Sequence, residues 1–262
     1  MDNTKDENFC KKMAKATREI HSISDALVNA KLACGLFNDS IWADGLLVFY
    51  EIFRYLEGAM IRLKNTKIGL LPLAELHRTE AFETDLDHYL GKGWRKNYSP
   101  RESVVKYLIH LREVEDTDPT LLMAYMYHLY MGLFSGGIIL RKKRQLMQKI
   151  SPFKGSNSGN NITDFGESSI YELKRDLRES MNRIAESLDE DMKNKLIEES
   201  KIVFKLNNEI IRSVQTGGNV LESVYHFTIQ LIRFALILLV LLTSSYFIIQ
   251  YLFIYLIKLL SF

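Results

Sequence analysis

The sequence predicts an all-α protein, a single multi-helix domain followed by one C-terminal transmembrane helix. Three observations carry this reading. Apolar residues recur at three- and four-residue spacing along most of the chain. Only four of 262 residues are proline, and no convincing strand run appears. Near the C-terminus, Phe234 to Ile257 contains no charged residue. The expected organisation is a flexible N-terminus over 1–8, a helical domain over 9–215, a linker over 216–233 and an anchor over 234–257.

The first helix is expected over 9–32, with Met13, Ala16, Ile20, Ile23, Leu27 and Val28 on its apolar stripe. A second, rich in aromatics, fits Ile41 to Asn65. Leu70-Leu71-Pro72 opens a short segment leading into Leu73–Leu86. Tyr98-Ser99-Pro100 reads as a helix start, with Ser99 as N-cap and Pro100 at the first helical position, and that helix runs to about Val114. Thr117-Asp118-Pro119 starts another, which passes through Tyr127 and Tyr130 and continues to Gln148. Residues 151–168 are loop by composition. Two more helices cover Ile170 to Ser187 and Leu188 to Ser213. Thr216-Gly217-Gly218-Asn219 reads as a flexible tether.

Twenty-four residues from Phe234 to Ile257 span about 36 Å as a helix, enough to cross a hydrocarbon core of about 30 Å. Arg233 and Lys258 bracket the stretch, and Tyr246, Tyr251 and Tyr255 gather toward its far end, where interfacial aromatics belong. The pattern is that of a tail anchor with the domain facing the cytosol, and the endoplasmic reticulum is the expected membrane. The polar N-terminus is not a secretory signal. Two cysteines, Cys10 and Cys34, sit in no metal-ligand spacing and fit a reducing compartment. The sequon at Asn161 is therefore not expected to carry a glycan. A net charge of +2 with interleaved signs argues against a nucleic-acid surface.

Chemistry is concentrated in three places. Gly132, Gly136 and Gly137 fall within six residues of one helical pattern, and each interior glycine costs a helix about 0.5–1 kcal/mol relative to alanine. A planar macrocycle lying against the backbone, a tightly packed second helix or a helix C-cap would each account for them. His21 has Asp25 one turn on, a spacing that orients an imidazole for ligation and equally suits a solvent-facing pair. Lys174 and Arg178, one turn apart with Tyr171 nearby, suit a dianion clamp or an ordinary charged face. The other histidines, His77, His88, His110, His128 and His226, form no HxxxH or HExxH pattern, and no P-loop, GxGxxG or GxSxG motif is present.

Taken in order, these segments resemble the eukaryotic, membrane-anchored haem oxygenases. Ala16-Thr17-Arg18-Glu19-Ile20-His21 is similar to that family's proximal helix, Glu75-Leu76-His77-Arg78 to a following segment, and Tyr127 to Gly137 to its distal helix. Asp85-Leu86, Gly93-Trp94, Met181-Asn182, Phe204 and Asn207 also fit, so the resemblance covers roughly residues 10–215. It implies that haem (heme b) is both substrate and cofactor, ligated by His21 with Asp25 in support. It further implies that Gly132, Ser135, Gly136 and Gly137 lie over the macrocycle in the catalytic site. Lys174 and Arg178 would meet the propionates, and Arg18, Tyr127 and Phe204 would complete the binding residues. The implied reaction gives biliverdin, carbon monoxide and ferrous iron from dioxygen and electrons supplied by an NADPH-dependent flavoprotein cytochrome reductase.

One position departs from the family. Where the distal helix has an aspartate that organises proton-delivering water, this chain has Leu133, and Leu129 stands where arginine is usual. Leucine neither holds water nor relays protons. The resemblance with this departure implies either a working oxygenase or a haem-binding sensor, sink or weak peroxidase with impaired ring-opening. Tyr127 and His128 are the nearby polar groups that would substitute for the missing carboxylate.

Overall fold

The computed structural model describes residues 8–35, 38–74, 76–150, 159–215 and 220–260. The N-terminal residues 1–7, Glu75, loop residues 151–158 and tether residues 216–219 lie outside the described residues. So do the side chains of Cys34, His226, Tyr255 and Lys258. Two compact units result, residues 1–216 and 217–262. Among the described residues the first holds helices α1 (Phe9–Gly35), α2 (Asp39–Arg62), α3 (Thr79–Leu90), α4 (Glu102–Thr117), α5 (Leu122–Gly132), α6 (Ile138–Ile150), α7 (Ile170–Glu186) and α8 (Glu190–Ser213), with short 3-10 turns and no strand.

Local chemistry sets most boundaries. Asn38 caps α2, its Oδ1 accepting from the Ser40 and Ile41 N–H groups at 2.9 and 3.2 Å. Ser169 and Asp189 cap α7 and α8 in the same way. The expected start at Ser99-Pro100 is corrected. Helix α4 begins at Glu102 because Arg101 stays extended (φ −74°, ψ 162°), its guanidinium committed to Asp44 and the Ser213 carbonyl. Asp118 accepts from the Thr120 N–H at 3.3 Å and opens a 3-10 turn, Pro119–Leu121, that feeds α5.

The apolar stripe expected on α1 is corrected as well. Ala16 and Ile23 are exposed, and the buried face is Cys10, Met13, Thr17 and Ser24. Thr17 and Ser24 enter this face because their hydroxyls donate back to the Met13 and Ile20 carbonyls at 2.9 and 3.0 Å, which satisfies them without solvent. Through it α1 packs on α8, where Ser200 Oγ donates to Met13 Sδ at 3.5 Å. Helix α2 packs on α3 and α4, and α5 on α8. A continuous core that includes Met13, Ile52, Leu56, Leu86, Leu111, Met126, Leu177 and Val203 fills the centre.

Two buried carboxylates replace conventional caps. Glu57 on α2 accepts from the Arg78 and Thr79 N–H groups at 2.5 and 3.1 Å, from the Thr79 hydroxyl at 2.5 Å and from the Tyr130 hydroxyl at 3.1 Å. It caps α3 from another helix and ties α5 to the same point. Asp85 on α3 accepts from the Asn161 and Ile162 N–H groups and the Asn161 amide at 2.6–3.0 Å. Asp85 thus orders part of the expected loop as a 3-10 turn, Asn161–Thr163.

The second unit is one helix, α9 (Val220–Leu260). It begins inside the residues expected as linker, so 220–233 are helical. Leu231–Tyr251 within it is long and apolar enough to cross a membrane, and its large apolar side chains are all exposed. Two of its polar side chains bond within the helix. Thr243 Oγ1 donates to the Leu239 carbonyl at 3.0 Å and the Gln250 amide to the Tyr246 hydroxyl at 2.9 Å. Pro119–Leu146 is also long enough but far less apolar, with a mean hydropathy of 1.2 against 2.2, and half of its most apolar window is buried in the domain core.

Substituting Glu57→Ala leaves two backbone donors and two hydroxyls without their acceptor. A loss of about 3 kcal/mol of stability is expected, read as a fall in the denaturant midpoint followed by helical circular dichroism.

Candidate functional site

The helix expected to run unbroken through the glycine cluster does not stay α-helical. Leu133–Gly137 forms a five-residue π-helical segment between α5 and α6. Glycine tolerates the widened turn because it has no Cβ to crowd the flanking carbonyls, and such insertions recur at functional sites. A Cβ added at Gly132 or Gly136 would meet no heavy atom within 4 Å, so a packed second helix is not what these two glycines serve. At Gly137 it would come within 3.0 Å of Leu133 Cδ1 and 3.3 Å of Thr163 Cγ2. Leu133 therefore folds over Gly137, and the turn held by Asp85 supports the segment from beneath. Arg141 on α6 donates to the Thr163 carbonyl at 3.0 Å and reinforces that support.

His21 lies on the exposed side of α1. Its Nδ1 is 3.1 Å from Asp25 Oδ2 and the side chain is 55% exposed. Asp25 thereby orients the imidazole and leaves Nε2 uncommitted to that pair. Phe204 on α8 braces the ring edge-on, with centroids 5.2 Å apart. His128 on α5 meets the same Phe204 at 4.9 Å and Tyr127 at 5.2 Å. It is half-buried, and its Nε2, shut off from solvent, has no hydrogen-bond partner among the described residues. Burial and, secondarily, His21 push its imidazole down to about 3.

Tyr127 joins a second cluster. Its hydroxyl interacts with the Cys10 thiol and the Arg178 guanidinium, and burial with the Cys10 contact raises its pKa. Cys10 is also bound through its backbone, its N–H donating to Asn182 Oδ1 at 2.9 Å, and burial pushes its thiol up to about 11. Lys174 stands half-buried one turn before Arg178 on α7. Of the two polar groups near Leu133 in sequence, Tyr127 is engaged with Cys10 and Arg178, and His128 packs edge-on against Phe204. Arg18 is exposed on α1 and joins none of these clusters.

Sequence reasoning did not find Thr163 under Gly137, nor the stack of Arg78 over Phe165 (4.4 Å) and Phe165 against Phe134 (5.0 Å) beneath the π segment. Both come from a stretch whose glycines, asparagines and serines read only as loop.

A family model described as heme oxygenase matches residues 7–213. The chain belongs to the heme oxygenase family. It is 25% identical over 217 residues to the heme oxygenase of Rhodella violacea, covering 81% of this chain and 89% of that protein. It is 28% identical over 217 residues to heme oxygenase 1 of Homo sapiens, covering 80% and 72% respectively. Its fold matches the crystal structure of a heme oxygenase-1 from the cyanobacterium Synechocystis in complex with heme, with a TM-score of 0.74 at 22% identity, over 86% of this chain and all of that one. The heme oxygenase of Leptospira interrogans superposes with a TM-score of 0.70 at 25% identity, over 79% of this chain and all of that one. Heme oxygenases are oxidoreductases that convert haem to biliverdin with haem as substrate and cofactor, and this chain is an enzyme of that class.

In this heme oxygenase the half-buried His128, its Nε2 shut off from solvent, carries a pH signature. An unfolded imidazole titrates near 6.5, so between about 6.5 and 3 the unfolded chain binds a proton that the folded chain refuses. Stability therefore falls as pH drops through that window, by up to about 1.4 kcal/mol per pH unit. The variant His128→Leu should lose this contribution, seen as a smaller difference between urea midpoints measured at neutral and mildly acidic pH.

Proposed function

We propose that this chain opens haem with its own residues in the following roles, and that it does so from a membrane surface. The observation that supports the reading is an exposed, Asp25-oriented His21 on α1, joined through Phe204 to His128 on α5, the helix that runs into a glycine-containing π segment. The donor set suits haem: a neutral imidazole nitrogen for iron, bare backbone for a flat macrocycle and two cations for its carboxylates. Haem, when bound, supplies the iron that takes up electrons and dioxygen and the ring that is oxidised to biliverdin with release of carbon monoxide and ferrous iron.

His21 offers Nε2 as the iron ligand, and Asp25 accepts the Nδ1 proton so that this tautomer persists. Phe204 prevents the ring from tilting, and His128 prevents Phe204 from moving. Gly132, Ser135, Gly136 and Gly137 would let the backbone lie against the macrocycle and shield it from solvent on that side. Lys174 and Arg178 fix the rotation of the ring through its propionates, with Tyr127 holding the Arg178 guanidinium in place. Arg18, exposed and outside both clusters, contributes at most long-range charge. Leu133 keeps this side of the site apolar, so protons reach it from solvent rather than through a side-chain relay. Electrons come from an NADPH-dependent flavoprotein reductase. Leu231–Tyr251 serves as the tail anchor, in the endoplasmic reticulum with the domain on the cytosolic side.

A second reading is favoured by Leu133 itself: a haem-binding sensor, sink or weak peroxidase in which ring-opening is impaired. Single-turnover assays with haemin, NADPH and a cytochrome reductase separate the two. Biliverdin and released iron establish the oxygenase. A bound haem that persists, or bleaches without biliverdin, establishes the alternative.

Within the oxygenase reading, Leu133→Asp restores a water-holding group and should raise the biliverdin rate by about 10–100-fold, measured by product absorbance after chromatography. His21→Ala should abolish the native Soret position with haemin, and added imidazole should restore it. The double variant Lys174→Ala/Arg178→Ala should weaken haemin binding by at least about tenfold, measured by difference-absorbance titration.

A further inference from the structure

The helix that enters the π segment carries one histidine whose Nε2 bonds to nothing. His128 lies on α5 one turn before Gly132, so the two share a helical face. Its Nε2 is shut off from solvent and has no hydrogen-bond partner among the described residues. A polar atom withdrawn from water without a partner costs about 1–3 kcal/mol, and a native fold that keeps one has a use for it. Next to it the face is open: a Cβ added at Gly132 would meet no heavy atom within 4 Å. Leu133, folded over Gly137, offers no polar group that would hold a water there.

Phe204 relates this nitrogen to the proposed iron ligand. Its ring meets the His21 ring at 5.2 Å and the His128 ring at 4.9 Å, both edge-on. The two imidazoles, one on α1 and one on α5, are therefore no farther apart than the sum of these distances. Two axial imidazoles on one metal, each bonded at about 2 Å, stand with their rings about 6 Å apart, a spacing that the shared phenyl ring permits. The other histidines differ. His110 Nε2 is 2.8 Å from Glu199 Oε1. His77 Nε2 is also without a hydrogen-bond partner, but no ring contact among the described residues joins His77 to Phe204. His128 alone combines an idle nitrogen with a ring contact to the side chain that braces His21.

We infer that His128 is a second axial ligand, so that bound haem is held by the imidazoles of His21 and His128 and an external ligand enters only when His128 leaves. The inference rests on the haem reading given above. The bond made and broken is the dative one from the Nε2 lone pair, so no proton moves and nothing is oxidised or reduced. His128 is then a gate on the iron, closed while the site rests and opened by competition.

The test uses the full chain in detergent, loaded with one equivalent of haemin and read by electron paramagnetic resonance and absorbance. The wild-type ferric complex should be low-spin, with hyperfine coupling from two imidazole nitrogens. Its absorbance should stay constant as pH rises, because no iron-bound water is present to ionise. His128→Leu and His128→Gln should each turn the complex high-spin, and His77→Leu should leave it low-spin. In the ferrous state carbon monoxide competes with His128, and its apparent affinity is reduced by the fraction of sites that are open. His128→Leu should therefore raise that affinity by at least about tenfold. A wild-type complex with a single imidazole nitrogen, lost in His21→Ala, overturns the second ligand and leaves the haem reading standing. Bound haemin with no imidazole nitrogen overturns both ligand assignments. A low-spin signal that survives both His128 variants, or that disappears in His77→Leu, assigns the sixth position to another group and overturns the inference.

Discussion

Everything on the distal side of the site hangs from two carboxylates that the fold removes from water, Glu57 and Asp85. A buried carboxylate is tolerable only if its oxygens are fully hydrogen-bonded. Here the donors are chiefly backbone N–H groups, so each acid welds one stretch of chain to another. Glu57 fixes the start of α3 and the Tyr130 hydroxyl of α5. Asp85, two turns further along α3, fixes the turn at Asn161–Ile162. That turn presents Thr163 to Gly137 and its carbonyl to Arg141. The level of the π segment is thus set by a relay of hydrogen bonds that begins on α2, and not by packing within the α5–α6 arm.

The proximal side obeys a different constraint. Helix α1 must be buried along one face and open along another, because the same helix that packs on α8 presents His21 outward. Small hydroxyl residues at Thr17 and Ser24 make this compatible. They allow close approach to α8 without the bulk of an aliphatic stripe, which leaves Phe204 room to reach the imidazole. One aromatic ring from α8 then contacts both His21 and His128, so α1, α5 and α8 meet at a single side chain.

Much of this was legible in the chain. Helix content follows from the periodicity, and the His21–Asp25 pair from its four-residue spacing, because both depend on local geometry alone. The Lys174–Arg178 pair was legible as a pair, but its link to Tyr127 and Cys10 joins helices far apart in sequence. The misread positions share one cause, a tertiary bond overriding a local preference. Pro100 has the right chemistry for a first helical residue, yet Arg101 is held extended by Asp44 and Ser213. Ile23 fits an apolar stripe, yet α8 prefers the hydroxyl face. The π segment had only its glycines as a signal, and these fitted a close crossing or a C-cap equally well. Loop composition concealed the 3-10 turn because Asp85, its organiser, lies 76 residues away from Asn161.

Cys10 stands beside Tyr127 and Arg178. Its thiol is pushed up to about 11 by burial, and oxidants attack the thiolate rather than the thiol. At neutral pH this sulfur is almost wholly protonated and shielded. The fold thereby gives the protein chemical durability at this position: a sulfur that packs like a hydrocarbon and offers oxidants little thiolate to attack.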